Sequence, residues 1–343
     1  MDPISQGAIG AVAPQLVLKR EKFRVAALLG CLAGLAPDLD VFIQSPTDPL
    51  LFLEYHRQFT HALVFIPVGA AVVALALHGF VRRRLQFRET SLACLLGYAT
   101  HGLLDACTSY GTLLLWPFSD YRVAWNNVSV VDPLFTLPLL SLGILAAVRR
   151  RRAFAVAGLI WALSYIAFGA IQHQRAEAAG ELLAAQRGHQ PLRLSAKTGF
   201  GTLLVWKVVY EHDGRFHVDG IRTGWSTTAC PGASAKRLDL RRDFSWLNPS
   251  SQQALDVERF RWFSRDYLAL DPHQSNRIID VRYSVVPNTI DPLWGIDLDP
   301  SATPDSHVRY FVDRRARAEQ MGAYGRMLTG EDCPVRLDAP PPE

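Results

Sequence analysis

The sequence predicts a polytopic α-helical membrane domain of about five spans, followed by a soluble α+β domain built on an antiparallel sheet. Two observations carry this. Long charge-free runs fill residues 1–175, and none recurs after Arg175. Alternating apolar segments punctuated by Asp213-Gly214, Asp271-Pro272 and Pro287-Asn288 occur only beyond that point. The averaged composition, 49% hydrophobic and 20% charged, would suit an ordinary soluble protein and hides the two halves. The expected domains are therefore residues 1–175 and 176–343.

The apolar runs lie at 25–34, 63–81, 92–100, 133–148 and 153–171, and a helix needs roughly 20 mostly apolar residues to cross about 30 Å of hydrocarbon. The second, fourth and fifth runs reach or approach that length. Arginine clusters orient them, because Lys and Arg in short loops favour the cytoplasmic side. Lys19, Arg20, Lys22 and Arg24 precede the first run, Arg82, Arg83, Arg84 and Arg88 separate the second from the third, and Arg149 to Arg152 form a tight hairpin between the last two. All three clusters fit one side. The loops 44–59 and 109–129, and everything after Ile171, then fall outside, and the location expected is the cytoplasmic (inner) membrane. No basic stretch followed by a short apolar run and a small-residue cleavage site opens the chain, so the first span is expected to serve as the insertion signal.

Beyond Arg175 a helix is expected over 174–190, ended by Gly188 and Pro191. A hairpin follows over 202–212 and 216–225, turning at Asp213-Gly214. Further strands are expected over 260–270 and 278–286, with a closing helix over 312–328 and a disordered tail through Pro340, Pro341 and Pro342. This half holds no nucleotide loop, nucleophile elbow or CxxC. Cys230 and Cys333 are an even pair in a domain expected to face an oxidising compartment, so they are expected to be neighbours and to bond.

Residues 1–175 carry fifteen Lys and Arg against ten Asp and Glu, and the remainder twenty-one against twenty-two. The basic excess reads as a topology signal, and no nucleic-acid partner is expected.

The functional signal is ionisable groups where hydrocarbon is near, since such groups are costly there. Asp38 and Asp40 end the first span, His56 and His61 begin the second, His101 and Asp105 lie late in the third, and Asp132 begins the fourth. The arginine-derived topology puts all of them at the outer face, although that topology used none of them. His101 and Asp105 are four apart, so on a helix they share a face and can approach one cation. Asp38 and Asp40, at a frayed helix end after Pro37, would turn one carboxylate inward and leave the other as a second ligand or a bridge. Imidazole and carboxylate without cysteine favour zinc, with manganese or iron also suited. The metal-ligating set expected is Asp38, Asp40, His56, His61, His101, Asp105 and Asp132, with Asp40 or His56 handling the proton of a water, and Arg57 and Arg122 neutralising an anion.

The same residues belong to an ordered series: Met-Asp-Pro-Ile-Ser-Gln-Gly-Ala-Ile-Gly-Ala at the N-terminus, Ala36-Pro37-Asp38-Leu39-Asp40, and His56-Arg57-Gln58-Phe59-Thr60-His61. It continues through His101-Gly102-Leu103-Leu104-Asp105, Thr108-Ser109-Tyr110-Gly111-Thr112, Trp116-Pro117-Phe118-Ser119 and Val131-Asp132-Pro133-Leu134-Phe135. This series resembles the YdjM-type membrane-bound, metal-dependent hydrolases of bacteria and archaea, over roughly residues 1–175. The resemblance implies a hydrolytic metal site made of those His and Asp residues and, by a more distant likeness to the zinc-dependent phospholipase C and nuclease group, phosphoester substrates that are small molecules or lipid-linked. Many members carry a His in Asp-Pro-x-Thr-His where this chain has Ser5-Gln6, which implies either fewer metals or completion by Asp2 and Asp132. The competing expectation is a non-catalytic metal-binding or ion-transport protein whose soluble domain binds a partner. Clustering of the ionisable groups at one depth, instead of a relay through the membrane, favours the hydrolase.

Overall fold

A computed structural model describes residues 1–313, 317–331 and 333–337. The chain separates into two compact units: residues 1–43, 55–170 and 200–202 form the first, and residues 44–54, 171–199 and 203–343 the second.

The first unit is helical. It contains α1 (Pro3–Gln15) and α2 (Phe23–Leu35), while the short α3 (Leu51–Tyr55) lies mostly in the segment assigned to the second unit. It continues with α4 (Ile66–Val81), α5 (Phe87–Ala106), α6 (Pro133–Arg149) and the first part of α7 (Arg152–Gln186). Helix α1 starts where Asp2 accepts hydrogen bonds from the Ile4 and Ser5 amides, with Pro3 in the first turn. It packs on α2, α5 and α6. Among the described residues, three candidate spans meet the length and apolar requirement: 20–42, 63–81 and 152–186. Of the five expected, α6 has 17 residues, and α5 carries Arg88, Glu89, His101 and Asp105, which lower its hydropathy. The arginine hairpin forms as expected, α6 ending at Arg149 and α7 starting at Arg152, with Arg150 in the left-handed conformation at φ 52°.

Small residues decide how closely these helices approach. A Cβ on Gly30 would lie 2.1 Å from the Gly10 carbonyl oxygen, and one on Gly97 would lie 2.3 Å from that of Gly30. Helices α1, α2 and α5 therefore meet backbone to backbone, as small residues permit. Ala26, Leu29, Ala33, Ala70, Ala74, Cys94 and Tyr98 pack around this crossing.

The second unit is α+β with two antiparallel sheets where one was expected. The larger runs β1-β2-β3-β4-β10, with β5 on β3: β1 (Arg193–Thr198), β2 (Val205–His212), β3 (Arg215–Thr223), β4 (Thr227–Cys230), β5 (Ser234–Lys236) and β10 (Val335–Arg336). The hairpin turns at Asp213 and Gly214, both at positive φ, as the Asp-Gly signal requires. The smaller sheet is β6-β7-β8-β9: β6 (Leu268–Asp271), β7 (Gln274–Asp280), β8 (Trp294–Asp297) and β9 (Arg309–Val312). The helices α8 (Leu240–Asp243), α9 (Gln252–Ser264) and α10 (Ala318–Thr329) complete the unit.

The expected strand 260–270 is a correction. Phe260–Ser264 ends α9, because Ser251 caps the helix through its hydroxyl on the Ala254 amide, and Ala254, Val257, Phe260 and Phe263 recur at helical spacing as its buried face. The strand begins only at Leu268. Likewise the strand expected over 278–286 ends at Asp280, and the closing helix starts at Ala318, not 312, since Arg309–Val312 pairs with β8. The tail through Pro340, Pro341 and Pro342 lies outside the described residues. Cys230 and Cys333 form a disulfide, with Cα atoms 4.0 Å apart, nearer than the usual range. The remaining cysteines, Cys31, Cys94 and Cys107, are free.

Candidate metal centre

Pro37 shapes the first part of the site. Without an N–H it cannot continue the α-helical ladder, and the chain leaves α2 at Leu35 and tightens into a 3₁₀ stretch over Ala36–Phe42. With about three residues per turn, Asp38 and Asp40 point in different directions. Asp38 faces the two histidines, and Asp40 lies behind one of them. Its Oδ1 is 2.7 Å from His56 Nδ1. Its Oδ2 accepts from the Arg57 amide at 3.0 Å and from the Thr60 hydroxyl at 2.7 Å, and lies 3.2 Å from His61 Nδ1. Asp40 thus joins His56, Thr60 and the Arg57 amide behind His61.

The second part comes from α5. His101 and Asp105 share one face of it, fully buried. A Cβ on Gly102 would lie 2.3 Å from the His61 carbonyl oxygen, so glycine there lets the 3₁₀ turn Phe59–His61 sit against α5 beside His101. His101 Nδ1 donates to the Gly34 carbonyl at 2.5 Å, a contact made possible by the glycine crossing of α2 and α5.

Four ligand atoms then converge from three segments: Asp38 Oδ1, His61 Nε2, His101 Nε2 and Asp105 Oδ2, all within 4.8 Å of one another. The His61 and His101 Nε2 atoms are 2.9 Å apart. Asp38 Oδ1 is 3.6 Å from His61 Nε2 and 3.3 Å from His101 Nε2, and Asp105 Oδ2 is 3.3 Å and 3.8 Å from the same two. A tetrahedral ion about 2.0–2.1 Å from each donor requires donors about 3.3–3.4 Å apart, and the observed separations straddle that value. Protonation points the same way. With Nδ1 of His101 against the Gly34 carbonyl and Nδ1 of His61 against the Thr60 hydroxyl at 2.9 Å and the Asp40 carboxylate at 3.2 Å, the Nε2 atom of each ring is the one left for a metal. Asp105 Oδ2 is buried and forms no well-aligned hydrogen bond, although Arg57 Nε lies 3.0 Å from it. Two imidazole nitrogens and two carboxylate oxygens face one point, and a cation among them would bind all four. The donor set fits a divalent metal.

Asp105 is held by further contacts. Gln6 Nε2 donates to Oδ1 at 2.9 Å, the Met1 nitrogen reaches the same oxygen, and Arg57 Nε is 3.0 Å from Oδ2. Arg57, at φ 66°, also donates to the Thr108 hydroxyl at 3.1 Å. Gln6 therefore supports Asp105 through its amide nitrogen.

Of the seven ligands expected from the sequence, six lie in the two overlapping groups Asp38-His61-His101-Asp105 and Asp38-Asp40-His56. Asp132 does not. Its carboxylate caps α6 on the Leu134 and Phe135 amides and accepts from the Tyr165 hydroxyl at 2.9 Å, which uses its oxygens locally. Asp2 is likewise taken by the cap of α1. The buried Arg122 donates to the Gly111 carbonyl at 3.0 Å, and Arg57 Nε lies 3.0 Å from Asp105 Oδ2. Sequence reasoning missed Thr60 and the Gly34 carbonyl as the groups that orient the imidazoles. A hydroxyl immediately before a ligating His was the available signal for the first, and a backbone carbonyl leaves none.

The model of the YdjM inner membrane protein family matches residues 1–176. This chain belongs to that family. It is also 28% identical over 109 residues to the uncharacterized protein YfhP of Bacillus subtilis (strain 168), an alignment covering 32% of this chain and 33% of that one. The chain thus spans about a third of the length of this curated relative. No solved structure matches it. Family membership and the apolar helices support an inner-membrane location, and the Asp and His cluster fits a membrane metal-dependent protein.

Proposed function

We propose that the protein is a membrane-bound metal-dependent hydrolase of phosphoesters, small or lipid-linked, acting at the outer face of the inner membrane. The observation that carries this reading is the meeting of two imidazole Nε2 atoms and two carboxylate oxygens at one point, with the far ring nitrogens against the Gly34 carbonyl and against Thr60 and Asp40. Asp38, His61, His101 and Asp105 would hold a divalent cation, zinc by donor type, which would supply an activated water for hydrolysis. Asp38 is the one of the four with an exposed side chain, at 28%, so substrate and water approach from its side. His56, a third exposed and oriented by Asp40, is placed to take and return a proton at its remaining ring nitrogen. The buried Arg57 guanidinium beside Asp105 adds positive potential where an anionic ester would sit.

Sidedness follows from the arginine clusters, and the Cys230–Cys333 disulfide supports an oxidising compartment for residues 176–343. In this multi-pass arrangement a cytoplasm-only reporter fused after Leu328 is expected to be silent. A bright fusion would invert the topology.

The central test is metal analysis of the purified protein followed by a phosphoester and lipid hydrolysis screen. His101→Ala and Asp105→Ala are expected to insert normally, to lose bound metal and to lose activity by more than about 100-fold. Full activity in either variant would refute the mechanism. Metal retained at a stoichiometric level with no hydrolysis of any ester would favour the non-catalytic reading.

A further inference from the structure

The turn between β3 and β4 carries Trp225, whose ring is fully exposed at 107%. A lone exposed tryptophan on a soluble surface would need no account, but the place of this one is specific. Helix α7 carries the apolar run 153–171 and continues without interruption to Gln186. One turn past Ile171, Arg175 donates to the Gly224 carbonyl at 2.9 Å and to the Thr227 hydroxyl at 3.2 Å. Gln172, nearer still to the end of the run, donates to the carbonyls of Leu203 at 3.3 Å and Thr223 at 2.6 Å. The turn is therefore fastened on both sides of Trp225 to the first turn of α7 beyond its apolar run. Residue 175 stands only about 6 Å along the helix from Ile171.

We propose that Trp225 anchors the second unit in the headgroup layer of a bilayer containing anionic phospholipid. Tryptophan concentrates at this depth because its ring is apolar and its N–H is polar. Leu204, 39% exposed, precedes β2 and accepts from the Thr223 amide, which sets a second apolar side chain beside the turn. Two guanidiniums flank it: Arg175, and Arg222, whose Nη1 lies within 2.7 Å of where a Gly224 Cβ would stand. Such cations at the headgroup level draw anionic lipid. Behind the ring, Ala178, Ala179, Leu182 and Leu337 line an open groove of about 320 Å³, so the apolar surface continues inward from the turn. Nothing in the metal chemistry requires this contact, and the proposal stands without that reading.

The test uses the full chain in nanodiscs of phosphatidylcholine and phosphatidylglycerol whose acyl chains are brominated near the headgroup. Trp225→Phe changes an exposed turn residue, and subtracting its fluorescence from that of the natural protein isolates the Trp225 emission. That difference spectrum is expected to be blue-shifted and to fall by roughly half or more in brominated relative to unbrominated discs. It is expected to fall further as phosphatidylglycerol replaces phosphatidylcholine. A water-like, unquenched difference spectrum would overturn the proposal. So would a blue-shifted spectrum untouched by bromine and by aqueous acrylamide, which would assign the turn to a protein contact such as a second copy. Equal quenching in both lipid compositions would overturn the role given to Arg175 and Arg222.

Discussion

The two units bury ionisable groups in opposite ways. In the second, each described buried carboxylate meets a guanidinium: Asp280 takes Arg282 through Nε at 2.8 Å and Nη2 at 2.6 Å, Asp219 takes Arg187 at 2.7 Å, and Asp256 shares Arg259 with Asp48 and Glu54. In the first, Asp38, His61, His101 and Asp105 present acceptors to one another at 2.9–3.8 Å. Arg57 offsets only part of that. Salt bridges close on themselves and are structural, whereas a convergence of ligand atoms is incomplete without a cation. Buried charge is a guide to function only when the partners present fail to neutralise it.

The sharpest way to break this comparison is to unpair a charge in the second unit. Asp280→Ala leaves Arg282, 3% exposed, without its carboxylate, and the variant is expected to lose about 3–5 kcal/mol of second-unit stability with no change in bound metal. Denaturant titration monitored in that unit, alongside metal analysis, checks both halves. Metal loss in this variant would mean that the two charge systems are not separate.

A smaller effect is expected behind the metal point. Asp40→Asn keeps a hydrogen-bonding side chain but removes the charge that orients His56 and His61, so metal affinity should fall by about 10–100-fold while second-unit stability stays put. Competition with a chromogenic chelator reads the change. An unaltered affinity would remove Asp40 from the site.

A third effect is a slope, small at any one pH step. Lys197 and Lys207 pair across β1 and β2, and burial pushes both down to about 7. Lys207 donates to the Ser284 hydroxyl at 2.7 Å and the Thr289 carbonyl at 2.6 Å, with Asp280 and Asp291 the charges that oppose the shift. Between pH 7 and the ordinary lysine value the unfolded chain holds a proton that the folded unit lacks. Stability should therefore rise as pH increases across that window, by at most about 1.4 kcal/mol per pH unit for each group, and level off below neutrality. Lys207→Met should flatten the rise. A stability that falls with pH there would contradict the burial argument.

Much of this was legible in the chain. The apolar runs announce helices at 63–81 and 153–171, the Asp-Gly turn announces β2 and β3, and the i,i+4 spacing of His101 and Asp105 announces one face of a helix, because each is a local periodicity. Phe260–Ser264 misled because a short apolar run has the same composition in a strand and in a buried helix, and only the Ser251 cap upstream decides.

By itself, then, the sequence determined which residues are ligand types, which of them lie on one turn, and where the chain changes from apolar helices to strands. Tertiary structure alone decided that residues 38, 61, 101 and 105 share a point, that Asp132 is spent on a helix cap, and that a backbone carbonyl sets the tautomer of His101. The physical reason is distance along the chain. Periodicity of 3.6 or 2 residues fixes neighbours within an element, whereas convergence across sixty residues depends on how closely helices cross. Here that closeness is set by Gly30, Gly97 and Gly102, where backbone meets backbone with no side chain between.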